Sequence, residues 1–331
     1  MIWSVIRLIS MSSVFFLFLF FFITSSYALE KVVILTFDDD WKGQYLYAKP
    51  ILENYGFKGT FFVTCNCLTY QNLTYCNNFG LPSYVMTWED IKTLQNEGHD
   101  IQSHGMSHKD LTHLSRQALD YEIGQSKQCL LDNGINSTIF ANAFSTGWDN
   151  ATVVEVIAKY YDMARNGIDP LTYLKCDGWG GISNQTDCRT YFDNGTLTYA
   201  NRYSIRVGDH NYFDRTYMHN DTEILPHLIE AINNQTIYNK KEINAIPILV
   251  YHNIDYVENI AHYPSLYLEL KKQESLRNLS YDALSYFIVN NSTTDVQLFD
   301  KEMKYLYDNG FRVITMSDLG YNKTDNHLYI K

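Results

Sequence analysis

The sequence predicts an α/β fold, a distorted (β/α) barrel, and three observations predict it. Short apolar runs alternate with stretches of helical spacing from residue 32 almost to the C-terminus. Strands alternating with helices of about 10–15 residues imply a parallel sheet, and this many units implies a barrel. The residues best suited to chemistry lie in the segments 38–40 and 104–108 and at His252, all where a strand pattern ends. Barrels of this kind carry their chemistry at the C-terminal ends of strands.

Residues 32–37 (VVILTF) are a continuous apolar run and read as a buried strand. Residues 44–55 have helical spacing in Tyr47, Ile51, Leu52 and Tyr55, and Gly56 ends the helix. Residues 60–64 (TFFVT) are the second strand. Thr87 is the N-cap of a helix over 88–97 that Gly98 stops. A short strand over 100–103 leads into the histidines, and a long helix over 115–133 ends at Gly134. Residues 138–143 are strand-like and 150–161 helical. Strands follow at 205–208, 246–251 and 311–315, with helices at 223–232 and 296–309, the last stopped by Gly310.

Residues 1–28 read as a signal peptide. Arg7 gives the positive start, residues 14–23 (VFFLFLFFFI) the apolar core, and Ser26-Tyr27-Ala28 the cleavage pattern. Ten apolar residues fall short of the roughly 20 that span a bilayer, so secretion is the reading. An uncleaved N-terminal anchor is the alternative, because residues 2–9 are also apolar. From 29 to 331 no Pro/Ser/Gly linker, repeat or charge block divides the chain, which reads as one domain. The net charge of −11 argues against nucleic acid as a partner, since phosphate binding needs basic surface.

Six cysteines in an exported chain point to disulfides. Local bridges, one of Cys65 or Cys67 with Cys76 and Cys176 with Cys188, stand against a reading as free buried thiols. Eleven Asn-x-Ser/Thr sequons between Asn72 and Asn322 exceed the roughly four expected by chance and fit a glycoprotein with wet loops.

Two segments carry the chemistry: Thr36-Phe37-Asp38-Asp39-Asp40 and Ser103-His104-Gly105-Met106-Ser107-His108. Asp39 with His104 and His108 makes a nitrogen–oxygen set for a divalent metal, Zn2+ above all, with places left for water and substrate. Asp38 is then free to act as a base. Neighbouring strand residues point to opposite sides, so both carboxylates serve one site only if the chain turns there. Singly, each segment has a plainer reading. The aspartates could cap the helix that starts near Gln44, and the histidine spacing lacks the Glu of the metalloprotease helix, Gly105 standing in its place.

Together the segments resemble the first two motifs of the polysaccharide deacetylases, the NodB-homology or carbohydrate esterase family 4 group. Tyr55-Gly56-Phe57-Lys58-Gly59-Thr60-Phe61-Phe62 resembles the family's second strand, and Glu97-Gly98-His99-Asp100-Ile101-Gln102-Ser103-His104 the approach to its histidines. The likeness is close over 31–115 and looser from 138 to 255. It returns at Asn309-Gly310-Phe311-Arg312-Val313-Ile314-Thr315, with insertions at about 65–85, 170–220 and 255–295.

The resemblance implies a metal-dependent hydrolase that removes N-acetyl groups from a polysaccharide of N-acetylhexosamine units through metal-activated water. Asp38 would be the base, Asp39, His104 and His108 the metal ligands, His252 the acid that protonates the leaving amine, and the Phe144 amide an oxyanion donor. Its partner would be an acetylated glycan, with cell-envelope association in view. The third motif departs: where the family has Arg-Pro-Pro-Tyr, this chain has Ala141-Asn142-Ala143-Phe144. What orients Asp38 is thereby left open, with Arg165 as one candidate. The departure keeps two alternatives alive, a glycan-binding or cell-surface protein of the same fold that has lost turnover, and a metal-dependent amidohydrolase acting on small C–N substrates.

Overall fold

A computed structural model describes residues 31–70, 85–142, 150–165, 171–174, 190–191, 197–198, 202–203, 205–209, 221–233, 245–256, 293–324 and 327–331. Residues 1–28, read above as a signal peptide, and Phe144 lie outside the described residues. In chain order the strands are β1 Val32–Asp38, β2 Thr60–Val63, β3 Asp100–Ser103, β4 Ile139–Ala141, β5 Met163–Arg165, β6 Leu171–Tyr173, β7 Thr190–Tyr191 and β8 Leu197–Thr198. They continue with β9 Gly208–Asp209, β10 Ala245–Tyr251, β11 Asn253–Asp255, β12 Thr293–Asp295, β13 Arg312–Ile314, β14 Leu319–Asn322 and β15 His327–Ile330. The helices are α1 Lys49–Asn54, α2 Cys65–Tyr70, α3 Trp88–Asn96, α4 Arg116–Leu119, α5 Ser126–Asp132, α6 Ala151–Tyr160, α7 Asp221–Asn233 and α8 Val296–Asp308.

β1 is the hub. All seven of its residues are buried, as a continuous apolar run predicts for a strand covered on both faces. Ile34 pairs with Ile248 of β10 and Ile314 of β13, and Thr36 with Val250 of β10 and Thr60 of β2. So β10 lies along one edge, while β13 and β2 share the other end to end. The Thr60 hydroxyl accepts the Met316 amide at 2.8 Å and fixes that junction.

Beyond β2 the parallel order continues through β3, β4 and β5. Ile205 bridges Arg165 of β5, and β9 pairs in parallel with β10. The short segment 205–209 therefore links the two ends of the curled sheet, and the distorted (β/α) barrel follows.

Alternation along the strands separates two layers. Val33, Leu35 and Phe37 pack with Leu52, Ile91, Leu94 and Phe299 of the helices. Val32 and Ile34 pack inside the curl with Phe62, Ile139, Met163, Ile248 and Val250. Extending those inward rows toward the C-terminal strand ends brings Asp38, His104, Arg165 and His252 to one mouth. Outside, the Phe37 ring stacks on Phe61 at 4.7 Å and meets Phe299 edge-on at 5.9 Å, binding β1 and β2 to α8.

Thr87 caps α3 in a reciprocal capping box with Asp90, and Gly98 stops the helix with φ +87°. Two predicted helices prove composite. The one over 44–55 opens with a π-helical turn, Gln44–Ala48, before α1. The one over 115–133 divides into α4, a π-helical turn Asp120–Gln125, and α5. Cys65 pairs with Cys129 across 64 residues of sequence, and Cys67 is disulfide-bonded too. The Cys65–Cys129 bridge overturns a Cys65–Cys76 pairing, and Cys65, Cys67 and Cys129 are not free thiols, while Cys76, Cys176 and Cys188 lie outside the described residues.

Candidate active site

The aspartate run works because the chain turns within it. Asp39 and Asp40 have φ of 73° and 58°, left-handed values that Asp tolerates better than most residues. Asp38 ends the inward row of β1, and the turn swings Asp39 to the same side. Asp40 goes to structure: its carboxylate accepts the Thr64 amide at 2.9 Å, and its carbonyl accepts the Met86 amide at 2.7 Å. Burial pushes the Asp40 carboxyl well above its ordinary value, and Asp39 and Asp38 beside it add to the effect. None of the three caps the following helix, whose N-cap is Gly43 with no side-chain bond.

Asp39, His104 and His108 offer ligand atoms within 4.8 Å of one another, the one such cluster of three among the described residues. Asp39 Oδ1 lies 3.2 Å from His104 Nε2 and 3.0 Å from His108 Nε2. His104 Nδ1 sits 3.1 Å from the Ala141 carbonyl oxygen. A carbonyl only accepts, so Nδ1 carries the proton and Nε2 faces the cluster as a lone pair, the tautomer a metal requires. The donor set, the burial and the fixed tautomer all fit a divalent ion. Burial alone would raise the Asp39 carboxyl, but His108 and His104 hold it well below the usual carboxylate range. Burial likewise works against the His108 imidazolium, yet Asp39 raises it above the ordinary value.

Around this cluster stand the other candidates. Asp38 Oδ2 is 3.7 Å from His104 Nε2, and its Oδ1 accepts a hydrogen bond from Arg165 Nη2. Arg165 is buried, and its guanidinium lies 4.2 Å from the centre of the Phe62 ring. It follows Met163 in the inward row of β5, directly across from Ala141 in β4. The small Ala141 side chain leaves the interior to its neighbour's guanidinium. His252 Nε2 lies 3.9 Å from Asp39 Oδ2, with its side chain 21% exposed.

Gln44, unnoticed in the sequence, joins the two strand ends. Its Nε2 donates to the Asp38 carbonyl at 2.5 Å and to the His252 carbonyl at 2.8 Å. Its signal was hidden because a glutamine at a helix start reads as a solvated residue.

Residues 26–161 match the family model described as polysaccharide deacetylase. Over that stretch the chain is similar to the polysaccharide deacetylases. The Bacillus subtilis (strain 168) protein YxkH, itself named for the family, is 28% identical over 130 residues, 39% of this chain and 42% of that protein. The chain thus spans less than half the length of this curated relative. Among solved structures, the Streptococcus pyogenes deacetylase PplD in complex with acetate is 25% identical with a TM-score of 0.37, covering 42% of this chain and 57% of that one. The Bc1960 peptidoglycan N-acetylglucosamine deacetylase is 12% identical with a TM-score of 0.46, covering 87% of this chain and 86% of that one.

The remaining histidines of the family motif region have other places. His99 is buried, accepts the Gly59 amide through Nδ1 at 3.1 Å, and meets the Phe61 ring edge-on. Its pKa falls to about 4 because burial disfavours the charged ring. His113 is exposed on a short turn.

Proposed function

We propose that this chain is a polysaccharide deacetylase that removes N-acetyl groups from a glycan of N-acetylhexosamine units in a metal-dependent hydrolysis. The observation that carries the reading is the convergence of Asp39, His104 and His108 on one point beside a second buried carboxylate, Asp38. A divalent ion held by those three, of which Zn2+ is the natural choice for this donor set, would polarise the acetyl carbonyl and acidify water.

The chain's own residues divide the proton work. Asp38 accepts a proton from the attacking water, and the Arg165 guanidinium fixes which of its oxygens remains free to do so. His252, at the rim of the site, protonates the departing amine. The Phe144 amide, three residues beyond the end of β4 in the sequence, is proposed as the oxyanion donor. Arg165 supplies the cation whose absence from the third motif supports the lost-turnover alternative, so the active enzyme is the better reading.

The reading of residues 1–28 as a signal peptide and the sequon excess support an activity outside the cytoplasm, on an envelope or extracellular glycan. The test is acetate release from N-acetylglucosamine oligomers by the purified chain, with and without chelator. Release that chelator stops and Zn2+ restores supports the proposal. Zn2+-loaded protein that releases no acetate from any acetylated glycan contradicts it.

A further inference from the structure

The two histidine ligands are secured in different ways. His104 is fixed directly, its amide bonded to the Val63 carbonyl at 2.8 Å and its Nδ1 to the Ala141 carbonyl. His108 ends a loop that leaves the strand, with Gly105 at φ +90° and His108 itself at +52°. Where its ring points therefore depends on what holds residues 105–107.

Two elements grip that loop from opposite sides. From α2, the Cys65 and Asn66 amides donate to the carbonyls of Gly105 and Met106, at 3.1 and 2.8 Å. From the π-helical turn 120–125, Glu122 takes the other side. Its backbone carbonyl accepts the Met106 amide at 3.2 Å, its Oε2 accepts the Ser107 amide at 2.9 Å, and its Oε1 accepts the Ser107 hydroxyl. Glu122 is buried, and a Cβ at Gly105 would lie 3.7 Å from its Oε2, so the loop runs flush against this carboxylate. The Cys65–Cys129 bridge joins α2 to α5, the continuation of the same helix, and so ties the two grips together. A wide π turn is a common way to aim one side chain out of a helix at a functional site.

We propose that Glu122 is the positioning residue for His108, acting through Ser107 to hold the loop in its ligand-binding shape. The assignment rests on the reading of Asp39, His104 and His108 as a metal site. Glu122 bonds Ser107 and Met106 and is not among the three ligand candidates, so its signature is metal affinity, where outer partners of ligands are worth about 10–100-fold.

The experiment compares wild type, Glu122→Gln and Ser107→Ala for Zn2+ affinity by chelator competition, for the visible spectrum of the Co2+-loaded protein, and for melting of the metal-free protein. The expected result is a Zn2+ Kd raised about 10–100-fold by Glu122→Gln and by a smaller factor by Ser107→Ala, each with an altered Co2+ spectrum. Both Kd values within about twofold of wild type and an unchanged Co2+ spectrum overturn the assignment, whatever the melting temperatures do. If Glu122→Gln fails to fold, Ser107→Ala decides by the same criterion. Wild type that binds Zn2+ yet releases no acetate sinks the deacetylase reading and leaves Glu122 standing. Wild type that binds no Zn2+ sinks both.

Discussion

The proposed ligand half of the site and the proposed proton half are built differently. The ligand half, Asp39 with His104 and His108, comes from two segments on either side of β2, and hydrogen bonds through the backbone hold Asp40 and residues 104–107. The proton half, Asp38, Arg165 and His252, gathers side chains from β1, β5 and the end of β10, and its acid sits partly exposed at the rim. The difference follows from the work. A metal ion needs donors fixed in space, whereas an acid that feeds a leaving group must meet the substrate. Losses in the first half should therefore show as metal affinity, and losses in the second as turnover.

The sharpest way to break that division is to remove both imidazoles of the ligand half. The His104→Ala, His108→Ala double variant should lose Zn2+ binding and acetate release together, by about 10^4-fold or more in kcat, with the barrel still folded. Residual turnover above about one per cent of wild type would show that the chemistry does not pass through this cluster.

In the proton half, His252→Gln should lower kcat by about 10^2–10^4-fold, the usual worth of a positioned general acid. Zn2+ affinity and thermal stability should stay near wild type, because the side chain is 21% exposed. A weakened Zn2+ Kd would place His252 among the ligands instead.

Arg165→Ala should reduce kcat by about 10^2-fold. It should also destabilise the fold by about 3 kcal/mol, since it strands a buried carboxylate. Moving the cation to the neighbouring strand, Ala141→Arg on Arg165→Ala, should restore part of the turnover, because the two positions are cross-strand partners. A double variant no better than Arg165→Ala would show that the guanidinium's strand of origin matters as well as its charge.

A smaller effect separates the proposed ligand His108 from the structural His99. His108 and His99 are both largely buried, but Asp39 faces His108, and among the described residues no carboxylate bonds the His99 ring. Their pKa values accordingly move in opposite directions. His99 titrates near 4 when folded and near 6.5 when unfolded, so the unfolded chain takes up the proton first as pH falls. Its contribution is fully present above about pH 6.5 and lost on the way to pH 4, worth about 3 kcal/mol. His99→Asn, which keeps an acceptor for the Gly59 amide, should flatten that part of the stability curve of the metal-free protein. An unchanged slope would assign the acid loss elsewhere.

The contrast between halves also explains what the sequence made legible. Asp38, Asp39, His104 and His108 stand in two short segments at the ends of apolar runs, so pattern and spacing expose them. The turn that lets both carboxylates serve one site could be stated as a condition, and the φ values of Asp39 and Asp40 meet it. Arg165 was visible only as one candidate, because β5 is three residues long and its Met-Ala-Arg sequence lacks a strand signature. Its role comes from register across β4, which no local pattern carries. Gln44 and Glu122 were hidden more deeply. Each lies in a π-helical turn inside a stretch of ordinary helical spacing, where a polar residue reads as solvated surface. Only the widened turn aims them inward.

The central claim is that one metal centre and one buried base share the work of removing an acetyl group. Its most direct test is a titration of the metal-free protein with Zn2+, following acetate release from N-acetylglucosamine oligomers at each addition. Activity that rises in proportion to bound metal and stops at one equivalent per chain is the predicted result. Activity that is full in the metal-free protein, or absent at one bound equivalent, would contradict the account.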